Sequence, residues 1–225
     1  MKNKAQIILA LDVGDIKKAE QIVDKLYPAI NLFKVGIHLF TAYGPKIVEL
    51  IRNKGADVFL DLKFFDIPNT VAGAVRSAVK MEAKMLTLHI LGDEEMIKAA
   101  VKAAKDEAGA LKVKPPLLIG VTVLTSKDTP AGDVLTLARI GVEAGLDGVV
   151  CSAREAVLLR KEIKKDFVIV TPGIRPQGVS ADDQKRTATV EEAIESGSNF
   201  LVIGRPILEA KDPLKAAEEL IAKLS

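Results

Sequence analysis

Leu60-Asp61-Leu62-Lys63-Phe64-Phe65-Asp66-Ile67-Pro68-Asn69-Thr70 follows directly on the apolar pair Val58-Phe59. A strand pattern ends here, three charged residues crowd in, and a helical pattern begins near Thr70. The stretch reads as strand, charged rim, helix. The same unit recurs along the whole chain, and that recurrence decides the fold.

Strand-like runs are predicted at Ile7–Leu11, Leu32–Val35, Val58–Leu62, Met85–Leu88, Leu117–Val123, Gly148–Val150, Val168–Val170 and Phe200–Ile203. Amphipathic stretches follow them in turn, near Ile16–Leu26, Pro45–Lys54, Thr70–Lys80, Glu94–Glu107, Asp133–Ala144, Ala153–Lys164, Val190–Ser196 and Pro213–Leu224. The strands are short and continuously apolar, as in a parallel sheet buried on both faces. Strict alternation in eight units predicts an α/β chain closed into a (β/α)8 TIM barrel, one domain over residues 1–225. An open doubly wound sheet is the rival. It would carry a Gly-rich dinucleotide turn after its first strand, and Leu11-Asp12-Val13-Gly14 is not that turn. The longest connection without helical pattern runs from Thr171 to Ala188, a length expected of a functional lid.

Composition narrows the function. Hydrophobic residues make up 48% of the 225, enough for a large core, and the net charge is only +2. A near-neutral balance argues against coating a polyanion, and 4% aromatics with no Trp leaves little to stack on nucleic acid. One cysteine, Cys151, excludes an internal disulfide framework and fits a reducing compartment. No apolar run reaches membrane-span length, and Met1-Lys2-Asn3-Lys4 leads straight into a strand pattern without a signal peptide. The expectation is a cytoplasmic protein with no nucleic-acid or membrane partner.

Barrels of this kind do chemistry at the C-terminal ends of their strands. Charges collect there: Asp12 after the first strand, Lys34 in the second, Asp61 and Lys63 in the third, with Asp66 in the following loop. A period of two places Asp61 and Lys63 on the same side of their strand. A salt bridge that merely closes the barrel mouth would explain one pair. It explains Lys34, Asp61, Lys63 and Asp66, converging from two strands and one loop, poorly, because buried ions are costly and a stability-driven rim would be apolar. A lysine among carboxylates stays protonated and is a ready proton donor. His89, ending the fourth strand, and His38, placed in the loop after the second, show no metal-ligand spacing. Cys151 reads as a small buried residue without a base partner.

The last two strand-to-helix loops are frequent phosphate sites in such barrels. They read Thr171-Pro172-Gly173-Ile174-Arg175-Pro176-Gln177-Gly178 and Ile203-Gly204-Arg205-Pro206-Ile207. Glycines let backbone N–H groups approach an oxyanion, and each loop carries an arginine suited to phosphate.

These segments together resemble the orotidine 5′-monophosphate decarboxylase family, of the bacterial type. The carrying motifs are LALDV (9–13), FKVG (33–36), FLDLKFFDIPNTV (59–71), VTVLTS (121–126), TPGIRP (171–176), DQKR (183–186) and VIGRPI (202–207). Asp-x-Lys-x-x-Asp alone is shared with other phosphosugar barrels; the Ile-Pro-Asn-Thr continuation and the TPGIRP and DQKR segments make the match specific. The resemblance implies decarboxylation of orotidine monophosphate to uridine monophosphate, the last step of de novo UMP synthesis, with no cofactor and no metal. It implies a charged network of Lys34, Asp61, Lys63 and Asp66, with Lys63 as proton donor. It implies a homodimer in which Asp66 and Thr70 cross to the neighbouring site. Asp12 would hold the ribose, and Thr125 and Ser126 would lie by the pyrimidine. Pro172, Arg175, Gln184, Gly204 and Arg205 would serve the phosphate and closing loop, with Gln177 the alternative glutamine. One departure is Leu91-Gly92-Asp93, where the pattern has a Gly-Gly pair.

Two other functions fit less of the sequence. A metal-dependent phosphosugar decarboxylase or aldolase would use the same Asp-x-Lys-x-x-Asp element to hold Mg2+. A non-catalytic phosphoribosyl-binding protein has little use for alternating charges.

Overall fold

Gln6–Ala10 (β1) lies parallel to Phe200–Ile203 (β8), with Ile7 opposite Leu201 and Leu9 opposite Ile203. That pairing joins the first strand to the last and closes the sheet. Between them, in order, come Leu32–Gly36 (β2), Asp57–Phe64 (β3), Met85–His89 (β4), Leu117–Val121 (β5), Gly148–Val150 (β6) and Val168–Thr171 (β7). Each pairs with its sequence neighbours, giving the closed (β/α)8 barrel that the alternation predicts. The computed structural model describes residues 5–123, 130–175 and 187–224.

The helices are Ile16–Leu26 (α1), Ile37–Tyr43 (α2), Pro45–Asn53 (α3), Pro68–Lys80 (α4), Asp93–Leu111 (α5), Ala131–Glu143 (α6), Ala153–Glu162 (α7), Val190–Glu195 (α8), Arg205–Leu208 (α9) and Pro213–Ala222 (α10). Their starts follow local chemistry. Asp15 caps α1 by accepting the Lys18 N–H, and Ser152 with Glu155 forms a reciprocal capping box on α7. Proline occupies the first turn of α3, α4, α9 and α10, where its missing N–H costs nothing.

Strand residues sort by parity into two buried apolar layers. Ile8, Ala10, Leu32, Phe59, Met85, Ile119, Val170 and Val202 cluster together. Their alternates, among them Ile7, Leu9, Phe33, Val58, Leu60 and Leu86, pack with the helices. The first set is the inward row of the barrel. Extending it two residues toward the C-terminal rim leads from Ala10 to Asp12, Leu32 to Lys34, and Phe59 to Asp61. The charged residues are thus the upper members of inward-facing rows.

The structure revises several local expectations. His38 sits in a helix, α2, rather than a loop. That helix starts at Gly36 without a side-chain cap, so no sequence signal marks its beginning. Helix α4 begins at Pro68, two residues before the predicted start, and α9 is a one-turn helix placing Arg205 at its first position. Where a Gly-Gly pair was expected, Asp93 adopts φ +70, a conformation that favours glycine, and its Oδ1 accepts the Met96 N–H at 2.9 Å.

Candidate active site

β3 is irregular where it carries the charges. Leu60 pairs with Leu86 and Phe64 with Leu88, so residues 61–63 span the place of Thr87 alone. Lys63 there has φ +53. Asp61 and Lys63 therefore meet across a bulge, and not through the simple alternation assumed from sequence. The Lys63 Nζ lies 2.8 Å from Asp61 Oδ1. Asp61 Oδ2 is 3.6 Å from Lys34 Nζ, which also reaches Asp12 Oδ1 at 3.2 Å. The order Asp12, Lys34, Asp61, Lys63 alternates in sign across three neighbouring strands. Asp12, expected to act separately on the ribose, is part of this row.

The Asp61 side chain retains 16% of its exposure and Lys34 11%, while Asp12 retains 65% and opens to solvent. Burial on its own would raise the Asp61 carboxyl. The charges of Lys34 and then Lys63, with hydrogen bonds from Lys63 and Thr87, outweigh it and hold Asp61 below the ordinary carboxylate value. His89 goes the other way: burial, then the nearby Lys63 charge, lowers its pKa and favours the neutral ring. Its Nδ1 is buried without a hydrogen-bond partner among the described residues, and its ring rests against Phe65 with centroids 5.6 Å apart. Cys151 is buried, and desolvation pushes its thiol far above the ordinary range, so it is no nucleophile.

A cavity of about 590 Å³ opens over the row. Asp12, Lys34, Asp61 and Lys63 line it together with Pro172, Gly173, Arg175, Gly204 and Arg205. Val121, Val123, Val150, Val170 and Val202 supply its apolar lining. The lining thus combines alternating charges, arginine with glycine, and apolar side chains. The loop after β7 is pinched at its base, where Arg175 N–H donates to Ala188 O at 2.9 Å and Ala188 N–H to Gly173 O at 3.2 Å. Arg175 is buried and its Nη1 donates to Ile174 O.

Not every expected residue joins the cavity. Asp66 and Thr70 are exposed, and Asp66 Oδ1 accepts the adjacent Ile67 N–H at 2.7 Å. Neither lines the cavity of its own chain. Thr125, Ser126, Gln177 and Gln184 lie outside the described residues. Two residues escaped the sequence reading. Glu209 lines the cavity near Arg205. Thr87 is fully buried beneath Asp61; a hydroxyl on the inward parity of an apolar strand was its only signal. Among the described residues, no group of three His, Cys, Asp or Glu side chains is placed to hold a metal ion, and no helix is long and apolar enough to cross a membrane.

Fold and cavity define a (β/α)8 barrel protein with a charged pocket at the C-terminal rim. Comparison with known proteins gives the family. Residues 5–220 match the orotidine 5′-phosphate decarboxylase / HUMPS family, and the chain belongs to it. It is 46% identical to an orotidine 5′-phosphate decarboxylase of Moorella thermoacetica, covering 100% of this chain and 94% of that protein. It is likewise 46% identical to one from Maridesulfovibrio salexigens, covering 98% and 99%. The crystal structure of orotidine 5′-phosphate decarboxylase from Lactobacillus acidophilus superposes with a TM-score of 0.86 at 35% identity, covering 98% of this chain and 99% of that one.

Proposed function

We propose that this chain decarboxylates orotidine 5′-monophosphate to uridine 5′-monophosphate without a cofactor, with the Lys63 ammonium as proton donor. The observation that carries the reading is the alternating row, in which Asp61 is held ionised between Lys34 and Lys63 at the cavity wall.

The pyrimidine would lie against the valine wall, its phosphate toward Arg175, Arg205 and the glycine backbone, its C6 carboxylate toward Asp61 and Lys63. Loss of CO2 leaves an electron pair on C6. An adjacent ammonium stabilises that developing charge and then delivers its proton to C6, leaving a neutral amine that regains a proton from water. Repulsion between Asp61 and the substrate carboxylate eases as CO2 departs. Two unit charges at ~4 Å and an effective dielectric of ~20 interact by about 4 kcal/mol, or roughly three orders of magnitude in rate. Enzymes supply about 8–23 kcal/mol, so this stress is a minor share, and stabilisation of the transition state by Lys63 must contribute more. Binding the remote phosphate would help to organise the charged end.

The active unit in this reading is a cytoplasmic homodimer. Phe65 and Ile67 flank Asp66 and are 60% and 66% exposed; Leu91 on the next loop is 59% exposed. Such apolar side chains around an exposed acid fit a surface covered by a second copy that receives Asp66 and Thr70.

The metal-dependent phosphosugar reading rests on the Asp-x-Lys-x-x-Asp element. In this chain both oxygens of Asp61 are already engaged by ammonium groups, the place a divalent cation would need. Mixing the purified protein with orotidine monophosphate and following its ultraviolet absorbance, with and without a chelator, separates the readings. Chelator-resistant loss of the substrate spectrum is expected. An unchanged spectrum, or full inhibition by chelator, would refute the proposal.

A further inference from the structure

We propose that Thr87 is a positioning residue for this reaction: its hydroxyl clamps Asp61 and Lys63 into the one arrangement that presents the Lys63 ammonium to the cavity. The inference rests on the decarboxylase reading above and adds a residue to it.

Thr87 Oγ1 donates to Asp61 Oδ1 at 3.0 Å and accepts the Lys63 backbone N–H at 2.9 Å. The same Asp61 oxygen receives the Lys63 ammonium at 2.8 Å. One hydroxyl thus closes a ring through both residues of the charged pair. Its placement follows from the bulge. With residues 61–63 set against Thr87 alone, the Lys63 N–H has lost the regular ladder, and a side-chain oxygen takes its place. The hydroxyl also supports Lys63 at φ +53, a conformation disfavoured for a residue other than glycine. Thr87 is fully buried and does not line the cavity, so it acts through Asp61 and Lys63 and not on the substrate. A valine would fill the same volume and pack equally well in an apolar strand. The hydroxyl is there for its two hydrogen bonds.

The groups facing Asp61 are Lys34 on β2, Lys63 on its own strand, Thr87 and His89 on β4, and Asp12 on β1 beyond Lys34. Thr87→Val removes only the hydroxyl from this set and leaves every charged group in the chain. The test compares Thr87→Val and Thr87→Ser with the wild-type chain. Hydrogen bonds to a charged group of this kind predict an about 10- to 100-fold loss of kcat in Thr87→Val. KM should move less than about threefold, because the loss falls on the transition state, and Thr87→Ser should stay within about threefold of wild type. Loss of the donated bond should also raise the Asp61 pKa, moving the acid limb of the kcat profile to higher pH. A Val variant with wild-type kcat, or a Ser variant as impaired as Val, overturns the proposal. The Asp61 carboxyl titration followed by 13C NMR reads the same contact without turnover. An Asp61 pKa unmoved by Thr87→Val overturns the clamp whether or not the wild-type chain decarboxylates orotidine monophosphate, so failure of the clamp and failure of the reaction assignment are separable.

Discussion

The Lys63 ammonium rests 2.8 Å from Asp61 Oδ1, two residues back along a backbone that turns through φ +53 to bring them together. Regular pleating does not create this contact; a bulge opposite Thr87 does. Lys63→Ala should therefore leave binding of uridine monophosphate within about threefold while lowering turnover by more than about a thousandfold. Isothermal titration and a spectrophotometric assay measure the two separately. Turnover near the wild-type rate would remove Lys63 from the chemistry.

Arg205 opens the one-turn helix α9 and lines the same cavity as Lys63. Arg205→Ala should weaken uridine monophosphate by about 10- to 100-fold, the range for a charge-assisted contact, and leave uridine binding nearly unchanged. Equal weakening of nucleotide and nucleoside would argue against a phosphate role.

Asp61 makes stability depend on pH in a defined direction. Its folded carboxyl titrates below the ordinary value of 3.8. Its contribution is complete above the unfolded value and is lost as pH falls through the lower folded one. Denaturant melts between neutral pH and about pH 2 should show this loss in wild type and a flatter acid dependence in Asp61→Asn. Identical slopes in the two proteins would contradict the role given to the paired lysines.

Asp66 is exposed in its own chain, and its proposed work is in a neighbour's site. Lys63→Ala and Asp66→Ala should each be inactive alone. Mixed under conditions that exchange subunits, they should recover about a quarter of wild-type activity, because half the dimers are hybrids with one intact site of two. No recovery would place Asp66 in its own chain's chemistry or outside it.

Gly148 on β6 leaves no room for a side chain. A Cβ there would sit 2.4 Å from both the carbonyl oxygen and Cγ2 of Val168 on β7. Gly148→Ala should cost about 1–3 kcal/mol, read as a shifted denaturation midpoint at unchanged m-value.

Much of this molecule was legible in one dimension. The eight apolar runs are continuous because both faces of each strand are buried, and their alternation with amphipathic helices leaves few topologies open. Asp12, Lys34, Asp61 and Lys63 stood out because ions at the ends of buried strands are costly unless used. Capless α2, the single turn of α9 and the glycine-like backbone of Asp93 were not legible, since tertiary packing and not local propensity holds them.

By itself the sequence determined the order of elements and the charged ends of the inward rows, because side-chain burial follows strand periodicity. Only the tertiary structure decided which charges touch. Asp61 and Lys63 meet across a bulge, and the Thr87 hydroxyl of the neighbouring strand bonds to both of them. A hydrogen bond between residues 24 apart in the chain has no local signature, since only closure of the barrel brings its two ends together.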